Sequence, residues 1–154
     1  MERRGPRVRS ARPAARSGGD GHVTRPCVLL VDDDAAVRGA VSSALAGEGY
    51  DVAWFGDAEN ALRQALVQPP SVVLLDVTMP RLDGWELCEI LKRQSQTRDV
   101  PVLFLTGRTD VRDRITAMQV GGSDFISKPF RARDLRAKVR ALVGRETGGA
   151  IGWR

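Results

Sequence analysis

Three carboxylates, a hydroxyl and an ammonium stand out because each ends or follows a short apolar run. Asp32 and Asp33 follow Cys27-Val28-Leu29-Leu30-Val31, and Asp76 closes Val72-Val73-Leu74-Leu75. Thr106 closes Val102-Leu103-Phe104-Leu105, and Lys128 follows Phe125-Ile126-Ser127. Runs of this length read as buried parallel strands. Parallel strands deliver their carboxyl ends to one edge of a sheet, where open α/β sheets bind ligands. A lone aspartate after a strand is usually a cap or a turn, but these side chains are chemically complementary. Clustered carboxylates repel and raise one another's pKa unless a cation joins them. Oxygen donors without His or Cys suit a hard ion, and Mg²⁺ fits because it needs only a few carboxylates, a carbonyl and retained waters. The sole histidine, His22, lies outside the strand pattern, which excludes a zinc or imidazole site. A carboxylate can also serve as a nucleophile and form an aspartyl phosphate. In phosphoryl transfer, the metal, the Lys128 ammonium and the Thr106 hydroxyl would neutralise the equatorial oxygens.

The segments between the runs must place these groups. A helix is expected over about Ala35 to Glu48, with Val37, Ala40, Val41, Ala44 and Leu45 on one stripe and Gly47 and Gly49 ending it. Asp51 to Phe55 reads as a further short strand. Asp57 is a natural N-cap for a helix over Ala58 to about Gln68, which Pro69-Pro70 ends. The stretch Val77 to Gly84 is a loop by its Pro and Asp-Gly content. Trp85, Leu87, Cys88, Ile90 and Leu91 mark a helix running to about Gln94. A polar helix over about Thr109 to Val120 should carry Val111, Ile115 and Met118 inward. The last helix covers about Ala132 to Val143, with Leu135, Val139, Leu142 and Val143 inward. Five strands alternating with five helices predict an α/β fold, a parallel sheet covered on both faces through right-handed crossovers.

Charge divides the chain. Residues 1–25 hold seven arginines against Glu2 and Asp20, whereas residues 26–144 hold 15 basic and 16 acidic residues. The arginine-rich stretch nearly lacks large apolar groups and is expected to be disordered. The folded part is close to neutral, so it carries no electrostatic footprint for nucleic acid. Residues 145–154 are Gly-rich and read as a flexible tail. No apolar run approaches a membrane span. Cys27 and Cys88 have no paired or metal-like spacing and read as buried reduced thiols, which suggests a cytoplasmic setting.

Four motifs, LLVDDD at 29–34, VVLLDVTMPRLDGWEL at 72–87, LFLTGR at 103–108 and GGSDFISKPF at 121–130, together carry a resemblance. The chain resembles the receiver domain of bacterial two-component response regulators over about residues 26–144. The resemblance implies a flavodoxin-like, doubly wound sheet in the order 2-1-3-4-5. It implies that Asp76 is the phosphoacceptor, that Asp33 binds Mg²⁺ directly, and that Asp32 holds the ion largely through water. The Thr78 carbonyl would complete the protein ligands, while Asp34 would cap the first helix. Lys128 would pair with the phosphoryl group, with its bond to Pro129 cis. Thr106 resembles the switch hydroxyl, and Phe125 stands where the family has an aromatic that turns inward with it. Thr78 and Arg108 occupy positions that tune hydrolysis in the family.

Activation, on this resemblance, is a population shift that reshapes the face made by the fourth helix, fifth strand and fifth helix. Arg114, Asp124, Asp134 and Lys138 on that face resemble residues that form cross-dimer pairs in the branch with winged-helix outputs, although Gln119 and Ser123 stand where acids are usual. The expected function is a two-component phosphorelay module, not a turnover enzyme. Its partners would be a histidine kinase or phosphotransfer protein, an unnamed downstream protein target, and a second copy in a phosphorylation-dependent homodimer, without membrane. Two alternatives stand beside it. One is an Mg²⁺-dependent phosphohydrolase with an Asp nucleophile, though such enzymes place an acid where Thr78 stands. The other is the N-terminal part of a DNA-binding transcription regulator. A nucleotide-binding domain is disfavoured because no Gly-rich or Walker loop follows the first strand.

Overall fold

The computed structural model describes residues 25–79, 82–107 and 111–148. Its elements run β1 (Cys27–Val31), α1 (Ala35–Leu45), β2 (Asp51–Phe55), α2 (Ala58–Val67), β3 (Val72–Asp76), α3 (Gly84–Arg93), β4 (Val102–Thr106), α4 (Val111–Gln119), β5 (Asp124–Ser127) and α5 (Ala132–Gly148). The strands form one parallel sheet in the order β2-β1-β3-β4-β5, as the motifs imply. Every residue of β3 and β4 is buried, as near-continuous apolar strands covered on both faces should be.

Alternation along the strands divides the core in two. Leu29, Val31, Val73, Leu75, Val102 and Phe104 face α2, α3 and α4, packing on Ala61, Leu87, Leu91 and Ala117. Val28, Leu30, Val72, Leu74, Leu103 and Leu105 face α1 and α5, packing on Val41, Leu45, Leu135 and Val139. Helices α1, α2 and α3 start on aspartate caps. Asp34 accepts from the Ala36 N–H, Asp57 from Asn60 N–H, and Asp83 forms a reciprocal capping box with Glu86.

Several expectations need correction. On α4, Ile115 is 50% and Met118 75% exposed, and Ala117 is the buried residue instead. The end of α4 is closed tightly on the core: Gly122 N–H donates to Ala117 O at 2.8 Å, and a Cβ on Gly122 would lie 2.5 Å from the Phe104 ring. Only a small side chain fits inward there. Thr109 and Asp110, expected in this helix, and the side chain of Val111 lie outside the described residues. Ala40 of α1 is exposed. Cys27, at the start of β1, is only half-buried, whereas Cys88 is buried; both are free thiols. Helix α5 continues past Val143 to Gly148, since propagation through Arg145, Glu146 and Thr147 is cheap once the helix is nucleated. Arg25, assigned to the tail, belongs to the fold: its Nε pairs with Asp51 Oδ1 at 3.0 Å and its Nη2 donates to Tyr50 O. The rest of the arginine-rich stretch and residues 149–154 lie outside the described residues.

Candidate functional site

Register brings the chemistry together. Val31 pairs with Leu75, so Asp32 emerges beside Asp76. Asp76 pairs with Leu105, and Thr106 with Ser127, so Thr106 and Lys128 emerge on the same edge. The Lys128 N–H donates to Thr106 O at 2.7 Å and anchors the turn after β5. The Lys128–Pro129 peptide is cis, as the resemblance implies.

Lys128 Nζ lies 3.1 Å from Asp32 Oδ2 and 3.1 Å from Asp76 Oδ1. One ammonium thus bridges two carboxylates that are otherwise withdrawn from water, Asp32 being fully buried and Asp76 nearly so. Burial pushes the Asp32 carboxyl above its usual range, and the Asp76 charge adds to this. The Asp34 N–H, which donates to Asp32 Oδ1 at 2.9 Å, and Lys128 oppose it. Burial would lower the Lys128 pKa, but hydrogen bonds and attraction to both carboxylates outweigh it and hold the ammonium above its usual range.

Asp33 is exposed at the mouth. One carboxylate oxygen from each of Asp32, Asp33 and Asp76 can be chosen so that all lie within 4.8 Å of one another. An all-oxygen set of three acids, open on one side, fits a hard divalent ion that retains water, such as Mg²⁺. Thr78 is exposed, and its N–H donates to Asp76 Oδ1 at 3.3 Å, which orients the carboxylate. Thr106 is buried in the wall. Asp34 caps α1 and stays out of the cluster, as expected. Arg108 lies outside the described residues, as do Pro80 and Arg81 of the loop after β3.

Phe125 is half-buried, and the Arg114 guanidinium lies 4.9 Å from its ring centroid. Lys138 Nζ pairs with Asp124 Oδ2 at 2.9 Å within the chain. Asp134 is exposed in the first turn of α5.

Two residues escaped the sequence reading. Gly84 read only as a turn residue, yet a Cβ there would run into the Asp76 carbonyl oxygen and come within 2.8 Å of Val77 Cα. Glycine therefore lets α3 start hard against the backbone at the end of β3, where Gly84 N–H donates to Val77 O at 3.3 Å. Trp54 read as an ordinary strand aromatic, yet its Nε1–H donates to Asp32 O at 2.7 Å. The usable signal was the polar handle of an indole at the end of an edge strand.

Comparison with known proteins agrees with this geometry. The sequence matches the model of the family described as response regulator receiver domain over residues 28–140. Response regulator MprA of Mycolicibacterium vanbaalenii is 42% identical over 120 residues, 78% of this chain and 51% of that protein. The DNA-binding dual master transcriptional regulator RpaA of Synechocystis is 37% identical over 120 residues, 78% of this chain and 50% of that protein. The chain spans about half the length of the curated relatives it matches. Among solved structures, chemotaxis protein CheY4 of Vibrio cholerae superposes with a TM-score of 0.73 at 31% identity, over 77% of this chain and 99% of that one.

Proposed function

Because the chain belongs to the response regulator receiver domain family, we propose that it is a phosphorylatable signalling module with Asp76 as phosphoacceptor. The observation that carries this reading is the bridge from Lys128 Nζ to Asp32 and Asp76 at 3.1 Å each. It leaves the acceptor oxygen beside a fixed positive charge and next to an acidic cluster suited to Mg²⁺. Asp32, Asp33, Asp76 and the Thr78 carbonyl would hold that ion, which when bound supplies charge neutralisation for the phosphoryl oxygens. An Asp76 oxygen attacks phosphorus, a P–O bond forms, and the P–N bond to a donor histidine breaks. Lys128 moves with the new charge, and Thr106 turns its hydroxyl towards it.

The donor is the phosphohistidine of a separate histidine kinase or phosphotransfer protein. The chain catalyses only its own phosphorylation and dephosphorylation, in a folded unit of residues 26–144 acting in the cytoplasm. Among the described residues no helix is long and apolar enough to cross a membrane. The output face is α4–β5–α5, with Arg114, Asp124, Asp134 and Lys138 available to a second copy and Phe125 as the aromatic that follows Thr106. A second reading, that this chain is the receiver part of a DNA-binding transcription regulator, is supported by its spanning half the length of relatives such as RpaA.

Intact mass after incubation with Mg²⁺ and acetyl phosphate, beside Asp76→Asn, tests the proposal. One phosphoryl adduct, dependent on Mg²⁺ and absent from the variant, is expected. A folded, Mg²⁺-binding sample that forms neither an adduct nor a beryllofluoride complex would refute it.

A further inference from the structure

The backbone of Asp32 is pinned as tightly as its side chain, and one of the pins is an indole. Its N–H donates to Phe55 O at 3.1 Å, Oδ1 accepts from Asp34 N–H at 2.9 Å, and Oδ2 accepts from Lys128 Nζ at 3.1 Å. Its carbonyl accepts from Trp54 Nε1–H at 2.7 Å. β2 ends at Phe55, and Gly56-Asp57 turns away into α2, so the β1–β2 ladder stops where this carbonyl needs a donor. The indole reaches across from the end of β2 to supply it. Its outer face is closed by the Arg38 guanidinium of α1, 4.6 Å from the ring centroid. A Cβ placed on Gly56 would lie 3.7 Å from Trp54 Cζ2 and 3.9 Å from Asp33 Cα, so the indole and the Asp33 backbone flank the same spot.

We infer that Trp54 is a positioning residue for the acidic pair: through its N–H bond to the Asp32 carbonyl it sets the turn that carries Asp32 and Asp33, and thereby sets divalent-cation affinity. The inference rests on the Mg²⁺ reading of the acidic cluster. Partners that orient ligand-bearing residues change metal affinity by about 10–100-fold when removed. Trp54 Nε1 bonds the Asp32 carbonyl and is none of the three clustered acids, so it would act through the turn and not as a ligand.

The test is Mg²⁺ affinity by titration calorimetry on the full chain, comparing wild type, Trp54→Phe and Trp54→His. Trp54→Phe keeps a ring under Arg38 but loses the donor, and its Kd is expected to rise about tenfold. Trp54→His keeps a ring N–H and should recover part of that loss. A purely structural role would lower melting temperature and leave Kd unchanged. A Trp54→Phe Kd equal to wild type, or a Trp54→His no better than Trp54→Phe, overturns the inference. If the variants do not fold, the Trp54 indole ¹H–¹⁵N resonance of the wild type decides: it should shift and saturate with Mg²⁺, and an unmoved resonance overturns the inference. A wild type that binds no Mg²⁺ removes the underlying reading as well, and so is distinguishable from failure of the Trp54 role alone.

Discussion

Replacing Lys128 by methionine keeps most of the stem volume and deletes the charge that bridges Asp32 and Asp76. Each contact at 3.1 Å is worth roughly 5 kcal/mol of gross attraction at an effective dielectric of 20. Most of that offsets desolvation, and the Lys128 side chain is 23% exposed, so the contacts are partly screened. Breaking a fully buried pair costs ~3–5 kcal/mol, and the lower end, about 3 kcal/mol, applies here. At ~2.1 cal/mol/K per residue over about 120 folded residues, that is a fall of about 12 °C in melting temperature at pH 7 without Mg²⁺. The pH dependence follows from the two shifts. Lys128 is raised above its ordinary 10.5 in the folded state, so its contribution is present below that value and fades as pH rises through the raised one. Asp32 is raised too, so in the variant its burial as an anion is relieved by proton uptake as pH falls. The gap between wild type and Lys128→Met should therefore be widest near neutrality and narrow towards acid. Mg²⁺ should stabilise the variant more than the wild type, because both carboxylates are then free of the ammonium. Thermal unfolding from pH 4 to 8, with and without Mg²⁺, reads all of this. A neutral-pH drop under about 3 °C, or a gap that widens towards acid, would refute the reasoning.

Gly84→Ala forces the start of α3 away from the Asp76 backbone and should cost about 3 kcal/mol in denaturant unfolding, with slower phosphorylation by acetyl phosphate. Burial pushes the Cys27 and Cys88 thiols up to about 11, so both should alkylate at pH 8 about a hundredfold more slowly than a free thiol, the gap closing in denaturant. Equal rates in the folded and unfolded protein would contradict that burial. Sedimentation should show a dimer only with beryllofluoride and Mg²⁺, and Met118→Asp should return it to monomer while leaving the phosphoryl adduct intact; a monomer in both states sinks the dimer proposal.

The strands were legible because β1, β3 and β4 are covered on both faces, so that burial writes them as unbroken apolar runs. The candidate site was legible for the same reason, since each chemical group directly ends or follows such a run. Helix α4 was misjudged because its apolar residues do not mark its inward face. Ala117 takes the inward position where Gly122 closes the helix on Phe104, and the larger Ile115 and Met118 are turned to solvent. Local pattern cannot express a requirement for smallness imposed by another element. Trp54 and Gly84 were missed for a related reason. Each acts through a contact with the backbone of a different segment, and a backbone carbonyl has no letter in the sequence.

The exposure on α4 bears on what could drive the proposed dimer. Asp124 is already paired with Lys138, and Arg114 already lies over Phe125, in the single chain. Moving these charges to a partner exchanges one surface pair for another, each worth ~0–1 kcal/mol, so the exchange supplies register and little net affinity. The favourable term has to come from apolar surface that is wet in the single chain, and Ile115 and Met118 provide it one helical turn apart beside Arg114. Arg114 then links the two. While Phe125 stays half-exposed it gives the guanidinium a seat. In the proposed dimer, an inward turn of Phe125 behind Thr106 removes that seat and frees Arg114 for a partner carboxylate such as Asp134, beside the already exposed apolar pair. On the proposed function, coupling between Asp76 and the α4–β5–α5 face thus needs no movement of the sheet, only the loss of one stacking partner at the edge of α4.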